Sequence, residues 1–216
     1  MGKPWLDLSH PFHVGMPHPH FFPAPQIRRR LAMDKDPMNV TEYTFVAHIG
    51  THVDAPRHFI ADGKTIGEIE LNRWIGEGVL IDVPAGRYES ITAADLQAQA
   101  AEVRAGDFLL VRTGWGRTYG QPIYYEHPYL ADDAAAWLLD RGVQALALDV
   151  MTPDLPIELR PPDFAWPVHR LLLKHECLIM ENVRLADAPA GRLSIIACPI
   201  NIQDADGAPA RIIAQR

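Results

Sequence analysis

The alternation of short apolar runs with capped helical segments in residues 92–183 constrains the fold more than any other feature. Residues 107–113 (DFLLVRT), 143–150 (VQALALDV) and 177–183 (CLIMENV) are apolar runs of strand length. Strands buried on both faces of a parallel sheet have this continuous, non-alternating character. A helix is expected over residues 132–141, closed by Gly142, and another from Pro167 to about Glu176. Glycine is favoured just past a helix end and proline at the first helical position. Thr92 opens a third helix in capping-box form (Thr-Ala-Ala-Asp), which the alanine-rich run carries to Val103. Strand and helix therefore alternate three times, a pattern that predicts parallel pairing with right-handed crossovers.

The rest of the chain reads mainly as β-structure. Residues 39–49 are dense in β-branched and aromatic side chains, and residues 77–83, 193–202 and 208–213 also have strand character. Residues 152–167 carry five prolines and predict a long ordered loop. No linker composition interrupts the chain. The expectation is one α/β domain over residues 1–216, with a mixed, curved or barrel-like sheet.

Composition excludes several classes of function. Twenty basic against 27 acidic residues give a net charge of −7, the wrong balance for a general nucleic-acid or acidic-membrane binder. No apolar run approaches the ~20 residues of a membrane span. The N-terminus (Met1-Gly-Lys-Pro-Trp) lacks the apolar stretch of a signal peptide, and Leu6 stands where a myristoylation signal after Gly2 needs Ser or Thr. Cys177 and Cys198 lie in apolar segments and are expected as buried, reduced thiols. A cytoplasmic protein acting on a small molecule is expected.

The chemistry concentrates in residues 48–58, His-Ile-Gly-Thr-His-Val-Asp-Ala-Pro-Arg-His, where His48, His52, Asp54 and His58 all occupy even positions. Even positions share one face of an extended chain. Gly50, Thr51, Val53 and Pro56 oppose a helix. Imidazole and carboxylate form the ligand set for zinc, manganese or iron. Four residues of straight strand would hold His48 and His52 ~13 Å apart, too far to share one ion, so a bend at Gly50-Thr51 is expected. Downstream, Glu181 stands in an apolar strand, where a carboxylate is costly unless paired or metal-bound. It is expected either to pair with an arginine such as Arg170 or Arg184, or to join His169 at the first cluster.

This stretch, extended to Phe59, resembles the HxGTHxDxPxHF signature of the metal-dependent cyclase-like hydrolases, a family that includes bacterial kynurenine formamidase and isatin hydrolase. Asp7-Leu-Ser-His10, Leu110-Val-Arg-Thr-Gly-Trp115, Leu148-Asp149 with Asp154, His169 with Glu181-Asn182, and Cys198-Pro-Ile agree with it in order. The resemblance implies a swivelling β/β/α fold in dimers or tetramers. It implies that His48, His52 and Asp54 hold one divalent ion, zinc or manganese. Asp54 would bridge to a second ion held also by His169 and Glu181, giving one or two ions per chain. His58 takes the position of the general acid/base. His18 stands where the family's formamidases carry a tryptophan against their substrate, and with Phe59 and Trp115 it is expected at the substrate. Phe21, Phe22, Trp74 and Trp166 are further aromatic candidates for the pocket wall, and Arg28-Arg-Arg30 reads as a solvated strand face. The expected reaction is hydrolysis of a C–N bond of a small amide, formamide or lactam by metal-activated water. The rival readings are a metal-dependent cyclase, dehydratase or lactone hydrolase on the same scaffold, and a non-catalytic metal-binding protein.

Overall fold

The computed structural model describes residues 4–216; the reading of Met1 and Gly2 lies outside them. In chain order the strands are β1 (Leu6–Asp7), β2 (Gln26–Leu31), β3 (Val40–Thr44), β4 (His52–Asp54), β5 (Ile75–Asp82), β6 (Ser90–Ile91), β7 (Phe108–Arg112), β8 (Tyr129–Leu130), β9 (Ala145–Leu148), β10 (Leu178–Glu181), β11 (Gly191–Pro199) and β12 (Gly207–Gln215). The helices are α1 (Ala93–Gln97), α2 (Asp132–Asp140) and α3 (Pro167–Lys174).

The main sheet runs β1-β12-β11-β5-β7-β9-β10-β4, and β4 also pairs with β12. That second pairing closes seven strands into a mixed barrel and leaves β1 outside the ring. β12 is long enough to share one edge, with Leu6 opposite Ala214 and Asp54 opposite Gly207. The three expected apolar strands pair in parallel through β5, β7, β9 and β10. The β2–β3 hairpin forms a separate sheet.

Strand periodicity builds two cores. Leu80, Phe108, Leu110, Ala145, Ala147, Leu178, Met180 and Val53 point inward and meet Leu193, Ile195, Ala208 and Ile212. Their neighbours Val79, Ile81, Leu109, Val111, Leu146, Leu148 and Ile179 point outward and are covered by Leu96, Leu138, Leu172 and Leu173 of the helices. Each central strand is thus apolar on both faces, as its sequence reads.

Some boundaries differ from expectation. The Thr92–Asp95 capping box forms, but α1 ends at Gln97. The chain then continues in turns that bury Ala100 and Val103 before Gly106 (φ 85°) leads into β7. β3 stops at Thr44 because the chain must leave the hairpin to deliver His48 to the barrel. β11 stops at Pro199, which has no N–H for the ladder. Cys177 is buried, but Cys198 is exposed. It lies on β11 next to the inward-facing Ala197, and the pleat turns it outward. Among the described residues no helix is long and apolar enough to cross a membrane.

Candidate metal centre

On β4 the inward residue is Val53, so His52 and Asp54 project outward, toward α3. On β10 Met180 is inward and Glu181 outward, directly opposite His52 in the antiparallel ladder. Directly opposed residues share a face, so the lone carboxylate of an apolar strand arrives beside the histidine motif. His52 Nε2 lies 3.3 Å from Glu181 Oε2 and 3.3 Å from Asp54 Oδ1. From α3, His169 brings its Nε2 to 3.2 Å from Glu181 Oε1 and 3.4 Å from Asp54 Oδ2. Arg184 pairs instead with Asp187, and Arg170 lies over Phe59.

The even-numbered face describes only His52 and Asp54. Gly50 turns the chain with φ 63°, and a Cβ there would meet Met16 Cε at 2.2 Å. The bend folds His48 back, so that its ring centroid lies 5.4 Å from that of His52. His58 arrives on a 3-10 turn, Pro56–His58, and stacks on His48 at 3.7 Å. Gly207 makes room for this stack, since a Cβ there would lie 2.4 Å from His48 Cε1.

The outer contacts hold the imidazoles in defined tautomers. His52 Nδ1 donates to the Gly50 carbonyl at 2.8 Å, which turns Nε2 to the centre. His169 Nδ1 donates to Asp154 Oδ2 at 2.5 Å, with the same consequence. Asp154 also accepts from the backbone N–H of Val168 and His169, so it caps α3 and fixes the ring it carries. His48 Nδ1 lies 2.7 Å from Asp54 Oδ1 and its Nε2 2.9 Å from Asp206 Oδ2, so a carboxylate faces each of its nitrogens. Asp206 Oδ2 also accepts from His58 Nδ1 at 3.3 Å.

Three buried atoms at this point have no hydrogen-bond partner: His52 Nε2, Asp54 Oδ2 and Glu181 Oε1. Nitrogen and carboxylate oxygens left unpaired in the interior are costly, and they are the donor types that divalent ions such as zinc take. Donor atoms of His48, His52 and Asp54 lie within 4.8 Å of one another, as do those of Asp54, His58 and His169 and those of His48, His58 and Asp206. The charges fit a cation as well. Burial pulls the His52 imidazole down, but Asp54 and Glu181 outweigh it and hold it at about 10. Burial pushes the Asp54 carboxyl up, and the charge and hydrogen bond of His48, with the His169 and His52 imidazoles close by, reverse that and leave it well below its usual range.

Above this cluster opens a cavity of about 290 Å³ lined by His48, His58, His169 and Glu181 on its floor and by Phe21, Phe22, Phe59, Ile157, Arg160 and Trp166 on its walls. His52 and Asp54 lie beneath the floor. Phe59, expected at the substrate, lines the cavity, with its ring 4.8 Å from His169. His18 and Trp115 do not line it. The His18 ring turns to the Met16 carbonyl, leaving Pro17 and Pro19 at the wall. The Trp115 indole donates to the Tyr124 carbonyl at 3.1 Å and packs against the outer core. Trp74 is in the barrel interior, and Arg28 and Arg30 meet Gln26 and Glu42 on the exposed hairpin.

The family model described as "Putative cyclase" matches residues 6–155. The chain belongs to that cyclase family. Among its cyclase-family relatives, the kynurenine formamidase of Bacillus cereus is 31% identical over 212 residues, covering 97% of this chain and 96% of the relative. The kynurenine formamidase of Bacillus anthracis is similar to the same extent, 31% over 212 residues with the same coverage. A solved structure described as a potential metal-dependent hydrolase with cyclase activity superposes with a TM-score of 0.82 at 28% identity, over 100% of this chain and 99% of the other. Isatin hydrolase A from Ralstonia solanacearum, at 24% identity, shares the fold with a TM-score of 0.87 over 98% of this chain and 91% of its own.

Asp206 was not visible in the motif. It stands 148 residues beyond His58, and Asp-Gly before a strand reads as a turn. The one local signal is Gly207, the residue that lets β12 pass close to His48. Asp154 carries a prediction of its own. Asp154→Asn keeps a capping side chain but removes the charge behind His169, and metal affinity should fall ~10–100-fold. Competition with a chelating dye measures this; unchanged affinity would show that His169 needs no such support.

Proposed function

We propose that this protein is a metal-dependent hydrolase that cleaves a C–N bond of a small amide, formamide or lactam. The observation that carries the proposal is the set of three buried, unpaired donor atoms beside a largely apolar cavity that His58 also lines. His52, Asp54, Glu181 and His169 would hold a divalent ion, zinc or manganese, with His48 at the same centre. When bound, such an ion lowers the pKa of a water toward ~7 and polarises a carbonyl.

This chain's own residues do the rest. Asp206 accepts from His58 Nδ1, so Nε2 keeps the lone pair. His58 lines the cavity and there takes a proton from the attacking water, then returns it to the leaving nitrogen. Stacking on His48 and the 3-10 turn hold the ring in place for both transfers. Phe59, Trp166 and Phe22 exclude bulk water and suit a flat substrate.

The test is a panel of aryl formamides, lactams, cyclic imides and lactones presented to metal-loaded protein. Turnover of formamides or lactams above lactones is the expected result. Preference for lactones would move the reading to an ester hydrolase, and a metal-loaded protein that turns over nothing would leave a binding protein.

A further inference from the structure

One charged wall residue of the cavity has no part in the chemistry above. Arg160 lies in the proline-rich loop before α3, with its guanidinium 3.7 Å from the Trp166 ring centroid and 5.3 Å from that of Phe164. Its Nε donates to the Leu155 carbonyl at 2.6 Å. That bond uses one of five N–H donors and leaves the terminal nitrogens available. Burial lowers its pKa despite the more distant Asp154, Glu181 and Glu158. Among the described residues no carboxylate comes within ion-pair distance of it, whereas the part-buried Arg112 and Arg192 pair with Asp82 and Asp107. Arg57, Arg117 and Arg170 also lack such a pair, but they are exposed to water. Arg160 is half-buried at the wall of an apolar cavity, where an unpaired cation is costly.

The loop is built to hold this group still. Trp166 adopts φ 55° and ψ 58°, a left-handed conformation uncommon for a bulky residue, at the start of α3. Its indole contacts the Arg160 guanidinium and also the rings of Phe59 (5.4 Å) and His169 (5.7 Å). Arg160 and Trp166 line the same cavity as His169 and Glu181, so the guanidinium shares that space with the candidate metal centre.

We propose that Arg160 is the anion-binding residue of the substrate cavity and selects, among the amides of the hydrolase reading, those that carry a carboxylate or similar anionic group. A guanidinium fork binds such a group through two parallel charge-assisted hydrogen bonds. The proposal rests on the hydrolase reading for its substrate class but not for the anion site itself. The rival is a purely structural role, in which Arg160 only staples the loop through Trp166 and Leu155.

The experiment compares metal-loaded wild type, Arg160→Gln and Arg160→Lys on formanilide and 2-formamidobenzoate. In parallel, calorimetry measures the binding of benzenesulfonate, an anion that ligates metals weakly, against its neutral counterpart methyl phenyl sulfone. Metal content and thermal melting of each variant accompany both. For Arg160→Gln, kcat/KM on 2-formamidobenzoate should fall ~10–100-fold more than on formanilide, through KM, as expected for lost hydrogen bonds to a charged group. Benzenesulfonate affinity should fall in parallel, and Arg160→Lys should restore part of both. Equal losses on the two formamides, or no loss on either, overturn the anion site and leave the hydrolase reading intact. If wild type hydrolyses neither formamide, sulfonate binding decides alone. Affinity that depends on Arg160 supports the site, and absent or indifferent binding overturns it.

Discussion

Asp54→Asn should yield a folded protein that takes up no metal and has lost activity by at least roughly a thousandfold, the order expected when a metal's water activation is removed. Asp54 is 1% exposed and lies between three imidazoles, those of His48, His52 and His169. It belongs to two of the three groups of donor atoms close enough to share an ion. Asparagine has nearly the same volume, so the β4 ladder and the core around Val53 are preserved. What is lost is the charge that makes the cluster attractive to a cation, and one of its three unpaired donors. Elemental analysis and circular dichroism on one preparation separate loss of metal from loss of fold. A folded variant with full metal occupancy would remove Asp54 from the ligand set.

His58→Ala should have the opposite signature, with metal retained and kcat/KM reduced by ~10²–10⁴, the usual contribution of a general acid–base. His58 is only partly buried, and its Nδ1 is occupied by Asp206, itself half-exposed at the rim. It lines the cavity with its stacking partner His48, whereas His52 and Asp54, which carry two of the unpaired donors, do not line it. Its donor atom is nevertheless close to those of Asp54 and His169. Loss of the ion together with activity would therefore make it a ligand. Metal retained with near-normal turnover would remove both roles.

What could be read from the sequence divides along a physical line. The strands near residues 107–113, 143–150 and 177–183 were legible because local apolar runs report burial on two faces. Helices α2 and α3 were legible because Gly142 and Pro167 punctuate their ends. A mixed, curved or barrel-like sheet was expected, but the closing pair of strands was not legible, because closure depends on Val53 meeting Ala208 across the chain, a pairing no local pattern encodes. The same limit governs the site. His52 and Asp54 share a face by strand period, but His48 and His58 reach them through the Gly50 bend and a 3-10 turn. Glu181 was conspicuous as a charge in an apolar strand; its partner could not be chosen until the β10–β4 register set it opposite His52. Asp206 carried no signal of its own. Which way an aromatic side chain faces was equally hidden. Phe59 lines the cavity while Trp115, part of an equally suggestive motif, packs away from it. Cys198 looked buried from its apolar neighbours, yet the strand pleat exposes it.

The central claim is that the cluster of His52, Asp54, Glu181 and His169 holds the divalent ion on which hydrolysis depends. The most direct measurement follows formanilide hydrolysis and metal content on a single preparation as purified, after exhaustive chelation, and after stepwise return of zinc or manganese. Activity should vanish with the metal and return in proportion to occupancy, while His52→Ala should neither bind the returned ion nor regain turnover. Undiminished hydrolysis by fully metal-free protein, or full occupancy and recovery in His52→Ala, would contradict the account.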